Sequence, residues 1–287
     1  MTSFSRRGAS MMIAAVATAC SPAATFNRLT PKDKEGRLLA KGESYGPHLR
    51  HKFDVYGPRA PSAQPLPWIA FFYGGSWQRG ERGLYHWFGR SLAAQGYGVA
   101  VIDYRLVPEV RFPDFLDDCA AGVARVRARA AEFGFDPERF ALMGHSAGAY
   151  NAIFLALEGA RLQKAGAPAG ALRAAIGLAG PYDFLPFEPG AAQAAFAHWP
   201  DPAATQPITF ARADAPPLLL LHGAEDDVVG LKNQRNLAAR LRALGAVVDV
   251  KEYPGIDHIE IISALSIPFR KKAPVRADIA AFLSAHV

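Results

Sequence analysis

Phe140-Ala141-Leu142-Met143-Gly144-His145-Ser146-Ala147-Gly148-Ala149 passes from an apolar run through two glycines into helix-forming residues that continue to Leu157. This succession of strand, sharp turn and helix lifts a serine above the end of a sheet. Such a turn holds its serine at a strained backbone angle, and a side chain at either flanking glycine would collide where helix meets strand. The bland alternative is a tight turn that matches a short pattern, and the rest of the chain decides between them.

Working outward, short β-branched or aromatic runs alternate with longer helical ones, the pattern of a mostly parallel sheet with helical crossovers. The runs predict strands over 52–56, 68–73, 98–103, 140–143, 174–178, 218–222 and 247–253, and helices over 84–95, 114–133, 147–157, 231–244 and 274–285. No internal repeat is visible. The stretch 180–217 breaks the alternation with prolines and scattered aromatics (Tyr182, Phe184, Phe187, Phe196, Trp199) and reads as a short lid beside the site. A length of 287 residues, 50% of them hydrophobic, suits a single α/β domain with a large core.

The net charge of +6 raises the question of an anionic partner. Arg125, Arg127 and Arg129 fall on one predicted helix, and Arg270, Lys271 and Lys272 form a short run; neither is interleaved with aromatics, so both read as solvated surface and nucleic acid is set aside.

The first twenty residues read as an export signal of lipoprotein type. Arg6 and Arg7 precede an apolar stretch over 9–19, too short to stay in a bilayer as a spanning helix, and Ala17-Thr18-Ala19-Cys20 resembles a lipobox whose cysteine is acylated after cleavage. Ala17 stands where a leucine is usual, which keeps ordinary signal-peptidase cleavage as the rival. The reading therefore divides the chain into the signal over 1–20, a connector over 21–45 and an α/β domain over 46–287, exported from a bacterial cytoplasm and periplasmic or membrane-anchored through Cys20. Only Cys119 would then remain in the mature chain, leaving no intramolecular disulfide, and its place in a helical stretch reads as core.

In open α/β sheets functional groups gather on loops at the carboxyl ends of strands. Four such loops carry chemistry. The first holds Ser146. A second, after 218–222, holds Glu225, Asp226 and Asp227, and a third, after 247–253, holds Asp257 and His258. A neutral serine hydroxyl attacks only if a base takes its proton, and a carboxylate must orient that base. His258 is the candidate base; of the other seven histidines, His145 lies inside the elbow, His222 ends a predicted strand, where a histidine most often makes backbone hydrogen bonds, and the rest read as structural or solvated. Residue type alone does not choose among the three consecutive acids, since two of them could cap the loop or the next helix. The fourth loop, Tyr73-Gly74-Gly75-Ser76-Trp77, places Gly75 and Ser76 N–H groups where, with the N–H of Ala147, they could hold a developing oxyanion. There is no HExxH, no paired Cys or His spacing for a metal and no glycine-rich phosphate loop with its lysine, so no cofactor is expected.

These residues together resemble α/β-hydrolase-fold carboxylesterases, in particular the hormone-sensitive-lipase-like and acetyl-esterase-like (BD-FAE-like) groups, over roughly residues 45–285. YGGSW stands where those families carry an HGGG or HGGxW oxyanion loop; DYRLVPE at 103–109 and FPDFLDD at 112–118 resemble DYRLAPE and FPxxxDD; GHSAG is their usual elbow; and HGAEDDVV at 222–229 resembles HGxxDxxV. The resemblance implies the fold, a triad of Ser146, Asp226 and His258, and a small-molecule ester as partner. It also reads Asp103, Arg105 and Glu109 as a salt-bridged scaffold. Tyr73 departs from the pattern, because the families open the loop with a histidine that supports it; a tyrosine hydroxyl there either supplies a substitute bond or projects into the pocket.

The leading expectation is a serine hydrolase cleaving esters of small to medium acyl groups. Gly75-Ser76-Trp77-Gln78 also looks like the HGGxWQ loop of kynurenine formamidases, giving an arylformamidase as the alternative, and a non-catalytic binding protein on the same fold is the remote one. Neither oligomeric state nor the natural ester is legible in the sequence.

Overall fold

The computed structural model describes residues 21–287. The expected signal and Cys20 lie outside the described residues. Eight strands form one sheet in the order β1-β2-β4-β3-β5-β6-β7-β8: β1 Gly36–Ser44, β2 Lys52–Pro58, β3 Leu66–Phe72, β4 Gly98–Ile102, β5 Phe135–His145, β6 Leu172–Leu178, β7 Leu218–Gly223 and β8 Val248–Tyr253. β1 and β2 run antiparallel to their neighbours and the rest pair in parallel. The central strands are continuous apolar runs because helices cover both faces of a parallel sheet; every residue of β3 from Trp68 to Phe72 is fully buried.

The helices are α1 Pro22–Leu29, α2 His86–Ala93, α3 Asp114–Ala128, α4 Ala147–Glu158, α5 Ala191–Phe196, α6 Lys232–Ala243, α7 Glu260–Ser263 and α8 Val275–His286, with one-turn helical segments at Ala130–Phe133 and Ala160–Ala165. The chain moves from β3 to β4 on one side and then crosses to β5 on the other. The carboxyl ends of β3 and β5 therefore flank the point where strand order reverses, the crevice in which open α/β sheets bind ligands.

The expected connector over 21–45 requires correction. Ser21 caps α1, its side chain accepting from the Ala24 N–H at 3.1 Å, and β1 joins the sheet as its edge strand. Its pairing with β2 shifts register twice, between Leu38 and Ala40 and again between Ala40 and Glu43, so no strict apolar alternation marks it as a strand. Cys119 is wholly buried, as a core thiol should be. Arg129, expected on a solvated face, instead bridges Glu43 of β1 at 2.6 Å and Glu132 at 2.7 Å.

The stretch 180–217 contains α5 and two short 3-10 turns, and its aromatics pack onto the strand-end loops: Phe196 meets Trp77 edge-on at 4.8 Å between ring centroids, and Trp199 meets Phe112 at 5.1 Å.

Candidate active site

β5 ends in the sharp turn that carries Ser146, whose φ of 55° and ψ of −123° lie where an L-residue is strained. The flanking glycines permit it. A Cβ at Gly144 would lie 2.0 Å from the Gly148 carbonyl oxygen, and one at Gly148 would lie 2.0 Å from that of Phe72 on β3. Backbone bonds fix the turn on both sides, the Ser146 N–H donating to Leu178 O on β6 at 2.9 Å and the Tyr150 N–H donating to Ser146 O at 3.1 Å.

Three side chains from three loops meet here. His258, after β8, places Nε2 2.9 Å from Ser146 Oγ and Nδ1 2.8 Å from Asp226 Oδ2. A carboxylate only accepts, so Nδ1 carries the hydrogen and Nε2 presents a lone pair to the serine hydroxyl. Among the consecutive acids the choice rests on backbone: Asp226 Oδ1 accepts from the N–H groups of Val228 at 2.9 Å and Val229 at 2.8 Å, which turns Oδ2 toward His258. Asp227 and Glu225 are exposed. Burial would raise the Asp226 carboxyl, but hydrogen bonds from His222, His258 and the Val229 N–H outweigh it and hold the group well below the ordinary carboxylate range.

His145 has a role that sequence reasoning missed. Its buried ring places Nε2 2.8 Å from the backbone carbonyl of His258, so the residue before the serine fastens the loop that bears the imidazole. Burial, reinforced by the nearby His258, pulls its pKa down to about 3 and keeps the ring neutral. Nothing in the residue pattern signals this bond, because the partners are 113 positions apart and one of them is a main-chain oxygen.

The loop after β3 brings Ser76 and Trp77 over the serine, both in the left-handed region with φ of 56° and 57°. Two such residues cost about 1–2 kcal/mol each. The loop is held by Val107 N–H on Trp77 O at 2.8 Å, by Gln78 N–H on Gly75 O at 3.0 Å, and by the Trp77 indole N–H on Asn151 Oδ1 of α4 at 3.2 Å. Among the described residues, the backbone N–H groups of Gly75, Ser76 and Ala147 donate to no protein acceptor, and Ser76 and Ala147 line the cleft beside Ser146. Free donors beside a nucleophile suit a developing negative charge.

Tyr73 supports this loop from beneath. It is fully buried; its hydroxyl donates to Asp103 Oδ1 at 2.8 Å and accepts from Arg50 Nη2 at 2.7 Å. The ring stacks between Tyr104 and Tyr85, and the Tyr104 hydroxyl donates to the Tyr73 carbonyl at 2.8 Å. Of the two expectations for this residue, the substitute bond is the one observed. Asp103 is ion-paired with Arg82 and Arg105 with Asp118, both partners lying outside the trio, while the Glu109 carboxylate lies 2.6 Å from His48 Nε2.

Ser146 opens into a cleft of ≈ 310 Å³ walled by Trp77, Phe184, Leu185, Pro186, Val228 and Val229. Among the described residues, no group of three His, Cys, Asp or Glu side chains is placed to hold a metal.

The BD-FAE family model matches residues 53–241 of the chain. A probable isoprenylcysteine alpha-carbonyl methylesterase ICME of Oryza sativa subsp. japonica is 30% identical over 247 residues, which span 78% of this chain and 59% of that protein. Esterase LipC of Mycobacterium tuberculosis is 31% identical over 233 residues, 75% of this chain and 58% of its own length. The chain thus spans between half and three-fifths of these curated relatives. Among solved structures, esterase B from Lactobacillus rhamnosis (HN001) superposes with a TM-score of 0.81 at 19% identity, covering 96% of this chain and 94% of that one, a likeness of α/β-hydrolase fold.

Proposed function

The chain belongs to the BD-FAE family, and from that premise and the site geometry we propose that it is a serine hydrolase of carboxylic esters. The observation that carries the reading is the relay from Asp226 Oδ2 through His258 to Ser146 Oγ, with contacts of 2.8 and 2.9 Å, opening on a cleft with free N–H donors. In this reading His258 Nε2 takes the hydroxyl proton as Ser146 Oγ attacks the ester carbonyl. The N–H groups of Gly75, Ser76 and Ala147 receive the oxyanion, and the proton passes to the departing alkoxide. The acyl-enzyme is then hydrolysed by a water that His258 activates in the same way. Asp226 keeps the imidazole in its tautomer and stabilises its charged form.

Small to medium acyl groups suit a cleft of ≈ 310 Å³ closed on one side by Phe184 and its neighbours. The relatives named above as methylesterase and esterase agree with a carboxylic ester as substrate. The formamidase alternative rests on Gly75-Ser76-Trp77-Gln78; Ser76 and Trp77 line the cleft, Trp77 anchored on Asn151, but the Gln78 that distinguishes the motif is exposed and outside the cleft lining. Steady-state rates on p-nitrophenyl esters from acetate to decanoate, beside N-formylkynurenine, test the proposal. It expects highest kcat/KM at short chains, and faster turnover of the formamide than of every ester would refute it.

We also propose that residues 1–20 direct export and that Cys20 is acylated. Radiolabelled palmitate incorporated by the wild-type chain and lost in Cys20→Ala is the expected result; a mature protein retaining Met1 would contradict it.

A further inference from the structure

We propose that His222 is a positioning residue for the ester hydrolysis inferred above: its Nε2–H completes the set of donors around Asp226 and fixes the direction in which that carboxylate faces His258. The inference rests on the serine-esterase reading and extends it to a second imidazole.

β7 is four leucines, Leu218 to Leu221, followed by a histidine as it reaches the site. Packing alone would call for another aliphatic residue at this position, since the His222 side chain is wholly buried. Its Nε2 lies 2.7 Å from Val229 O and 3.2 Å from Asp226 Oδ2. A carbonyl and a carboxylate both only accept, so Nε2 carries the hydrogen and shares it between them. Nδ1 is buried and has no hydrogen-bond partner among the described residues. An imidazole kept in the core with one nitrogen unsatisfied is unfavourable for stability, which points to a use for the other nitrogen.

That use is visible at Asp226. Oδ1 takes the N–H groups of Val228 and Val229, while Oδ2 takes His258 Nδ1 and His222 Nε2, so all four acceptor directions are filled. Val229 closes the circuit: its N–H binds Asp226 Oδ1 and its carbonyl binds His222, tying the acid to the end of β7. Without the His222 donor, Oδ2 has an empty acceptor direction and the turn over 226–229 is tied to the strand only through the Asp226 N–H on Gly223 O at 3.3 Å. Of the other ionisable groups on the surrounding elements, Glu225 and Asp227 are exposed to solvent and four have partners of their own. His145 is bonded to His258 O, Glu252 on β8 pairs with Arg235 of α6, Glu260 of α7 pairs with Lys272, and Asp278 of α8 accepts from the Tyr253 hydroxyl and faces Lys251. Lys232 of α6 lines the cleft without an acidic partner within salt-bridge distance among the described residues.

A donor on Oδ2 also draws negative charge away from His258. Removing it leaves a carboxylate that holds the protonated imidazole more firmly, so the acid limb of kcat/KM moves to higher pH. The test compares wild type with His222→Phe, which keeps a ring without a donor, and His222→Gln, whose amide nitrogen can stand near the place of Nε2. Melting temperature, active-site titration with a fluorophosphonate, and kcat and KM for p-nitrophenyl acetate are measured across roughly pH 5–9. His222→Phe is expected to lower kcat about tenfold or more per titrated site, leave KM within about twofold and shift the acid limb upward, while His222→Gln stays within about threefold of wild type. Should the phenylalanine variant not fold, His222→Leu serves as the donor-free arm. An unmoved limb with wild-type kcat in the donor-free variant overturns the proposal, as do equal losses in both variants. A wild-type chain inert toward every ester instead overturns the esterase reading and this role with it.

Discussion

Replacing Tyr73 by phenylalanine removes one hydroxyl from beneath the Gly75–Ser76 loop, and the geometry sets the size of the effect. The lost oxygen donates to the Asp103 carboxylate at 2.8 Å and accepts from Arg50 at 2.7 Å, both inside the fold. Hydrogen bonds to charged partners contribute about 1.5–3 kcal/mol each. The two do not sum in full, because both partners keep other bonds: Arg50 still donates to Tyr104 O at 2.8 Å and Gly80 O at 2.6 Å, and Asp103 still accepts from the Arg82 N–H at 2.7 Å. A net loss of about 1.5–3 kcal/mol follows, or roughly 3–6 °C in melting temperature for a chain of this length. The loop itself retains the Tyr104 hydroxyl on the Tyr73 carbonyl, so KM should stay within about twofold and kcat within about tenfold. Thermal unfolding beside steady-state ester hydrolysis measures both. A melting temperature unchanged to about 1 °C, together with a large rise in KM, would show that the hydroxyl serves the pocket and refute the supporting role.

Asp226→Asn should lower kcat by about 10⁴-fold, since an amide in place of the carboxylate favours the wrong imidazole tautomer, whereas Asp227→Asn, on an exposed residue, should stay within about threefold. Kinetics on the two variants side by side separate the acids, and loss confined to the Asp227 variant would overturn the assignment. The same carboxyl sets a pH dependence: with its folded pKa held below the unfolded value, its stabilising contribution is complete above the unfolded pKa and lost as pH falls through the folded one. The stability gap between wild type and Asp226→Asn should therefore be constant above about pH 5 and shrink below about pH 4 in denaturant titrations, and a gap that grows on acidification contradicts the cause given. Gly148→Ala drives a Cβ to 2.0 Å from Phe72 O and should abolish either soluble expression or fluorophosphonate labelling; a stable, fully labelled variant would mean that the turn tolerates more than its geometry allows.

What was legible in the sequence was what steric necessity writes into residue type. The elbow glycines, the strand-end positions of Ser146 and His258, and the apolar runs of β3 and β7 each follow from a local constraint that only a few residues satisfy. β1 was missed because a half-exposed edge strand with two register shifts carries no period-2 signal. Asp226 could not be separated from its neighbours by residue type, since the distinction lies in which carboxylate meets two backbone N–H groups. His145 reads as part of the elbow and His222 as a strand-end histidine bonded to backbone, which its contact with Val229 O bears out, but the contacts that link the two to His258 and Asp226 close only when distant loops converge. Tyr73 was a departure from a family pattern whose consequence depended on Arg50 and Asp103, 23 and 30 residues away.

Every role proposed for the site depends on Ser146 being the nucleophile of an ester hydrolase. The most direct test is mass spectrometry of the purified chain after reaction with a fluorophosphonate, paired with p-nitrophenyl acetate hydrolysis by wild type and Ser146→Ala. One phosphonate per chain is expected, carried on the peptide containing Ser146, with a loss of about 10⁴-fold or more in the alanine variant. Labelling elsewhere with equal rates for the two proteins would contradict it.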